Sequence, residues 1–330
     1  MNFTRVVKSV EHKRLWCDDA RPEVMEEFIG NSDICNSLYN SLEYLSSSLL
    51  LVGPHGCGKT TFARLIAKKL LGDQYSKNLL ELYSSINRNK NYIGNKILID
   101  NKNIHDFINN CNSTLKLKLI IMYDIDTAAY DTQQIFCDLL RQKNVTIIFT
   151  CNNTQTLHEN LLSNVMSINM FSLTYDEIMK SLCDLEKQKN MTMTKEVKKA
   201  LCISCNGDLK KLFNIMQLLS GISGTVDLVS FYKLIDMPSY ECIKDLLLWC
   251  EKGNIEHGFK KLNEILSNGY DNFDILDIIE KTLLYIDILE PSFDIEKQIH
   301  MLSIVTQCIM FKKHTKIQLY NMVSEMASIA

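Results

Sequence analysis

The run Gly53-Pro54-His55-Gly56-Cys57-Gly58-Lys59-Thr60 is a complete phosphate-binding loop, glycine and four residues followed by Gly-Lys-Thr. It follows an apolar strand, Leu49-Leu50-Leu51-Val52, and opens a helical stretch from Thr61 to Ala67. The mechanism of such a loop needs strand, loop and helix in that order. The glycines let successive backbone N–H groups turn inward around a polyphosphate, and the helix start adds its positive dipole end. Lys59 would reach the β- and γ-phosphates, and Thr60 would offer its hydroxyl to Mg²⁺. Gly53 to Thr60, with Thr61, are therefore the candidate nucleotide-binding residues, and ATP or ADP with Mg²⁺ the candidate cofactors.

The pattern around the loop predicts an α/β domain. Candidate strands are 48–52, 79–83, 117–123, 145–151 and 166–171, and the third and fourth are continuous apolar runs, as in strands covered on both faces. Helical patterns lie between them, near 32–46, 59–71, 103–111, 130–142 and 156–162. This alternation implies a parallel sheet flanked by helices, with ligand at the carboxyl ends of the strands. After about residue 173 the strand signal stops. A helix over 174–190 begins with a Thr174/Glu177 capping box; helices over 194–204 and 208–220 precede a break at Gly221-Ile222-Ser223-Gly224. The remainder reads as helices over 240–251, 254–267, 273–289, 295–310 and 316–328, with Asn268-Gly269 ending one of them. The fold class is α/β followed by all-α.

Composition narrows the function classes. With 46% hydrophobic and 23% charged residues in 330, the chain reads as two or three globular domains. No apolar run is long enough for a membrane span, and Met1–Lys8 lacks the apolar core of a signal peptide. Twelve cysteines show no metal-ligand spacing beyond the lone pair Cys202 and Cys205, so they read as free thiols in a reducing compartment, nucleus or cytoplasm. Asn, Ile and Lys usage suggests an AT-rich genome, such as that of a virus or a protist. A net charge of −3 confines any DNA contact to a local patch or to partner subunits.

Motif order then resembles one family, the replication factor C small subunits, clamp-loader members of the AAA+ ATPases. Their Trp-x-x-Lys-Tyr-Arg-Pro entry reads here Trp16-Cys17-Asp18-Asp19-Ala20-Arg21-Pro22, followed by Glu27-Phe28-Ile29-Gly30-Asn31. Their lid signature reads Gly207-Asp208-Leu209-Lys210-Lys211-Leu212-Phe213-Asn214, and the likeness continues around Leu262–Ile279. The resemblance implies an AAA+ domain over 1–172, a small helical lid over 173–236 and a helical collar over 237–330. It adds Arg21, Pro22 and Lys210 to the nucleotide-binding set, and Asn152, after the fourth strand, as a polar sensor of the γ-phosphate.

Departures from the family carry mechanistic content. Where members end the third strand in Asp-Glu-Ala-Asp, this chain has Tyr123-Asp124-Ile125-Asp126. In that register Tyr123 takes the metal-binding position, and Asp124 the catalytic one or, alternatively, the metal. A phenol is a poor Mg²⁺ ligand at neutral pH. Where members carry an arginine finger in Ser-Arg-Cys, this chain has Ser163-Asn164-Val165, and Cys137-Asp138 replaces an Arg-Arg pair. Lys210 keeps the charge of the lid arginine without its fork.

Two readings follow. In the first, the chain is an ATP-binding subunit of a clamp loader that works with other subunits in a hetero-pentamer, with a sliding clamp and with primer–template DNA. Its own DNA contribution is weak, from Arg64, Lys68, Lys69, Arg88, Lys90, Lys116 and Lys118, and its hydrolysis is weakened. The family's clamp region matches Ile104-His105-Asp106-Phe107-Ile108, whose apolar residues share one helical face and suit a core as well as an interface. In the second reading the chain is a stand-alone AAA+ ATPase, such as a helicase loader or remodeller, for which Asn164 is a poor finger.

Overall fold

The computed structural model describes residues 15–42, 47–84, 104, 107–108, 118–142, 145–222, 224–312 and 315–329. Contacts divide the chain into two units, Met1–Glu177 with Gly207–Lys210, and Ile178–Asn206 with Lys211–Ala330.

The first unit is built on five parallel strands: β1 (Leu49–Val52), β2 (Leu79–Tyr83), β3 (Lys118–Tyr123), β4 (Val145–Cys151) and β5 (Met166–Asn169), in spatial order β2-β3-β4-β1-β5. The helices that position the site are α1 (Ser32–Ser41), α2 (Lys59–Leu71) and α3 (Tyr130–Leu139). Side chains alternate across the sheet with the two-residue period of a strand. Leu49, Leu51, Leu119, Ile121 and Tyr123 join the core under α2. Leu50, Ile120, Met122, Ile147 and Phe149 join the core that holds Phe136 of α3. Burial on both faces explains why β3 and β4 read as unbroken apolar runs.

Ile104 is 1% exposed in that second core, and Phe107 and Ile108 pack against it. The Lys118 ammonium donates to the carbonyl oxygens of Phe107 and Ile108. The apolar stripe of the clamp-matching segment is thus spent inside the domain. His105, Asp106, Arg88, Lys90 and Lys116 lie outside the described residues.

The second unit is helical and includes α4 (Tyr175–Gln188) from Ile178 onward. Thr174 caps α4 reciprocally: its N–H donates to Glu177 Oε2 at 2.8 Å, and the Glu177 N–H to Thr174 Oγ1 at 3.4 Å. Then come α5 (Lys195–Cys205), α6 (Leu209–Leu219) and α7 (Leu228–Ile235). Five longer helices follow: α8 (Tyr240–Glu251), α9 (Ile255–Ser267), α10 (Asn272–Leu284), α11 (Ile295–Met310) and α12 (Lys316–Ala327), which pack on one another.

Three details differ from the sequence pattern. Thr192–Met193 and Thr225–Val226 form a two-residue parallel pair, too short for alternation to show. Helix α7 starts at an Asp227 cap whose carboxylate accepts from the Ser230 N–H. The single helix over 273–289 is interrupted at Tyr285, where φ −119° and ψ 13° leave the helical range. Among the described residues no helix is long and apolar enough to cross a membrane.

Candidate nucleotide site

The phosphate loop leaves the carboxyl end of β1, between the ends of β4 and β5. The Gly53 N–H donates to the Cys151 carbonyl oxygen at 3.2 Å, so the loop begins as an extension of the sheet. Two glycines are demanded by what surrounds them. Gly58 has φ 100°, and a β-carbon there would lie 2.8 Å from the Phe28 ring. Gly56 has φ 72°, and its β-carbon would fall 1.8 Å from Asp208 Oδ1. Pro54 and His55 are exposed, Cys57 is buried, and Thr60 and Thr61 are half-buried on the first turn of α2.

Lys59 is 7% exposed and folded back into its own loop. Its ammonium donates to the carbonyl oxygens of Gly53 and Pro54, both at 2.7 Å, and to Asn152 Oδ1 at 3.0 Å. The sequence-predicted pair of loop lysine and sensor asparagine is therefore brought together. All three acceptors are neutral oxygens, so a phosphate would compete for this cation with the stronger attraction of opposite charge.

Asn152 is held by a residue that the sequence reading did not single out. Asp126 Oδ2 accepts from the Asn152 N–H at 3.2 Å, the Asn152 Nδ2 at 3.5 Å and the Asn153 N–H at 3.4 Å. Its other oxygen, Oδ1, is buried with no hydrogen-bond partner. Its position as the last acidic residue of Tyr123-Asp124-Ile125-Asp126 was the available signal. Asp208 was equally unanticipated. It packs on Gly56, and the neighbouring Leu209 N–H donates to the Gly56 carbonyl oxygen at 3.4 Å. The segment Gly207-Asp208-Leu209 therefore seats against the phosphate loop, while Lys210, one residue on, is exposed.

The entry segment is tied in by Asn31. Its Nδ2 donates to the Phe171 carbonyl oxygen at 2.9 Å, and its Oδ1 accepts from the Phe171 N–H at 2.7 Å. Arg21 and Pro22 line a cavity of about 290 Å³ over α2, with Thr61, Arg64, Lys68 and Tyr75. Arg21 is paired with Asp18 at 2.6 Å.

Asp124 is exposed at the end of β3, in a left-handed conformation with φ 51°, and its N–H donates to Thr150 Oγ1 at 3.1 Å. Tyr123 has a different fate. It is 2% exposed, points under α2 and donates from its hydroxyl to Glu81 Oε1 at 3.0 Å. Arg64 grips Glu81 with two bonds of 2.8 and 3.1 Å and donates to the hydroxyls of Tyr123 and Tyr83, each at 3.1 Å. The rings of Tyr83 and Tyr123, register partners on β2 and β3, stack 4.6 Å apart. Burial, reinforced by the Glu81 charge, pushes the Tyr123 phenol well above its ordinary value.

A polyphosphate fits the loop. A magnesium ion does not fit the residue at the strand end, because a neutral phenol bonded to Glu81 and Arg64 is no substitute for a carboxylate. Among the described residues no group of three His, Cys, Asp or Glu is placed to hold a metal ion. Asn164, at the finger position, is exposed and bonded locally, its Nδ2 donating to the Asn160 carbonyl oxygen at 2.6 Å. All eleven cysteines in the described residues are free thiols.

Residues 49–173 match the model of the AAA family, the ATPases associated with various cellular activities. That segment is similar to the ATPase domain of this family, a class that implies nucleotide binding. Beyond that domain the chain is similar to replication factor C small subunits over most of its length. It is 26% identical to the small subunit of Methanococcus maripaludis, over 94% of this chain and 98% of that one. Identity is 24% to the small subunit of Sulfurisphaera tokodaii, over 83% of each chain. It is also 24% to replication factor C subunit 4 of Schizosaccharomyces pombe, over 97% of this chain and 92% of that one. Among solved structures, the RuvB Holliday junction branch migration motor of Thermotoga maritima superposes with a TM-score of 0.52 at 14% identity, over 81% of this chain and 91% of that one. This likeness is one of fold alone.

Proposed function

We propose that this chain is an ATP- or ADP-binding subunit of a replication factor C-like clamp loader. Together with other subunits in a hetero-pentamer it opens a sliding clamp and places it on primer–template DNA, in the nucleus or cytoplasm. Residues 1–172 serve as the nucleotide-binding domain, 173–236 as the lid and 237–330 as the collar that joins the ring. The carrying observation is the extent of the likeness, which runs from the phosphate loop through the helical second unit to cover 94% of this chain and 98% of an archaeal small subunit.

Nucleotide is held by Gly53–Thr61 through backbone amides, Lys59 and the start of α2, with Arg21, Pro22 and Lys210 at the margin. Asp124 and Asn152 are the remaining groups for hydrolysis. That step is weak, since Tyr123 replaces the metal carboxylate and Asn164 offers no charge to a neighbour's site. Nucleotide then acts chiefly as a fixed part that holds the subunit in shape.

The test is co-expression with candidate partner subunits, followed by nucleotide retention and by ATPase measured with and without clamp and DNA. Incorporation into a pentamer whose wild-type form retains nucleotide, with loss of this chain's share in Lys59→Ala, supports the reading. A catalytically competent homohexamer on size-exclusion chromatography would favour a stand-alone ATPase instead.

A further inference from the structure

In a phosphate-loop ATPase the metal ion is shared between the loop hydroxyl and a carboxylate at the end of the neighbouring strand. Here the hydroxyl is present, as Thr60, and the strand-end position is occupied by something else. Arg64 lies one helical turn beyond Thr60, on the same face of α2. Its guanidinium is bonded to both oxygens of Glu81 and to the hydroxyls of Tyr123 and Tyr83. The only proton of the Tyr123 hydroxyl goes to Glu81, and its oxygen faces the guanidinium. Glu81 is the one carboxylate of this cluster, and Arg64 and Tyr123 engage both of its oxygens. The cluster is electrically closed: one cation, one anion and two phenols.

Magnesium is bound through one or two carboxylates together with substrate phosphates, at short distances and in near-octahedral geometry. A guanidinium next to the expected ligand position repels such an ion, and no carboxylate in the cluster is spare. Asp126 spends Oδ2 on the amides of Asn152 and Asn153, and its Oδ1 is closed off from solvent.

We propose that this subunit binds its nucleotide without a protein-held magnesium ion, the Arg64–Glu81–Tyr123–Tyr83 cluster being a permanent brace between α2, β2 and β3 where the metal carboxylate would stand. The inference rests on the nucleotide-binding reading above. Phosphate charge is met by the loop amides, the helix start and Lys59, all of which act without metal. Asp124 lies outside this cluster, exposed at the end of β3, where its backbone N–H and carbonyl oxygen are the groups bonded.

The experiment is a fluorescence titration of the full chain with a methylanthraniloyl-labelled ADP, in excess magnesium and again in EDTA. The expected result is a Kd that differs between the two buffers by less than about fivefold, which is under about 1 kcal/mol. A larger loss in EDTA overturns the inference and leaves nucleotide binding standing. Absence of binding in both buffers overturns the two together. Tyr123→Asp, which returns a carboxylate to the strand end, is expected to introduce a magnesium dependence of about tenfold or more. Tyr123→Phe keeps the ring and monitors folding; its binding stays insensitive to EDTA, and a new magnesium requirement in this variant also counts against the brace.

Discussion

The ammonium of Lys59 donates to the side-chain oxygen of Asn152 at 3.0 Å, a contact between residues 93 positions apart. It joins the phosphate loop to the end of β4, so the cation that would meet the β- and γ-phosphates and the amide that would sense the last of them already touch. A phosphate reached by Lys59 would compete with the Gly53 and Pro54 carbonyl oxygens that now hold its ammonium. Lys59→Ala removes the only ammonium in the loop, and the loss of charge-assisted bonds of about 1.5–3 kcal/mol predicts nucleotide binding weaker by about tenfold or more. Equilibrium dialysis with labelled ADP reads this directly, and unchanged affinity would contradict the loop assignment.

Gly58 gives a steric prediction. Its φ of 100° is unfavourable for any side chain, and an added methyl would meet Phe28 at 2.8 Å. Gly58→Ala should cost about 1–3 kcal/mol in backbone strain alone. Thermal unfolding of the first unit, which holds both residues, then shifts down by roughly 2–4 °C for each kcal/mol. Adding Phe28→Ala relieves the clash and not the strain, so the double variant should recover only part of the loss relative to Phe28→Ala alone. Full recovery would show that φ carries no cost.

The parts of this molecule legible in sequence are those encoded by neighbours in the chain. The phosphate loop is contiguous, and the apolar runs of β3 and β4 follow from burial on both faces. Thr174 and Glu177 sit three residues apart, within reach of a capping rule. What escaped is non-local or too short. Asp208 meets Gly56 across 152 positions, and Glu81, Arg64 and Tyr123 come together from three elements. Tyr123 could be recognised as a departure, but not as the centre of a closed polar cluster, because its partners are chosen by sheet register. The pair formed by Thr192–Met193 and Thr225–Val226 has too few residues for any period to register.

In the proposed assembly, Asn164 stands where a finger would reach a neighbouring subunit's nucleotide. Asn164 is neutral, exposed and bonded to the Asn160 carbonyl oxygen within its own turn. In an assembled complex, Asn164→Ala should leave ATP turnover unchanged, whereas loss of a working finger costs about 10³–10⁵ in rate. Steady-state turnover of the reconstituted complex decides this, and a large drop would mean that Asn164 does act on the adjacent nucleotide.

Buried thiols set an alkaline limit to stability. Burial pushes Cys35, Cys151, Cys202 and Cys250 from the usual 9 up to about 12. The folded state therefore holds these protons more tightly than the unfolded chain. The resulting stabilisation is complete below pH 9 and is lost as the pH climbs towards 12. The midpoint of thermal unfolding should vary little through these groups below pH 9 and fall steadily above it. Replacing Cys250 with Ala removes one contributor and should flatten that fall, at the expense of a lower plateau from the cavity created.

Arg64 and Glu81 are each 28% exposed and form a two-bond ion pair that also orders Tyr83 and Tyr123. A pair this far withdrawn from water is costly to break from one side, because the remaining charge keeps its desolvation without its partner. Glu81→Ala is expected to destabilise the first unit by about 2–3 kcal/mol, and Arg64→Ala by a similar amount. Removing both leaves no orphaned charge, so the double variant should be more stable than the sum of the singles predicts, by about 1–2 kcal/mol. Urea unfolding followed by tyrosine fluorescence gives the four stabilities needed for the cycle. Strict additivity would mean that the pair is solvated in solution, and the brace under α2 would then have to rest on Tyr123 and Tyr83 packing alone.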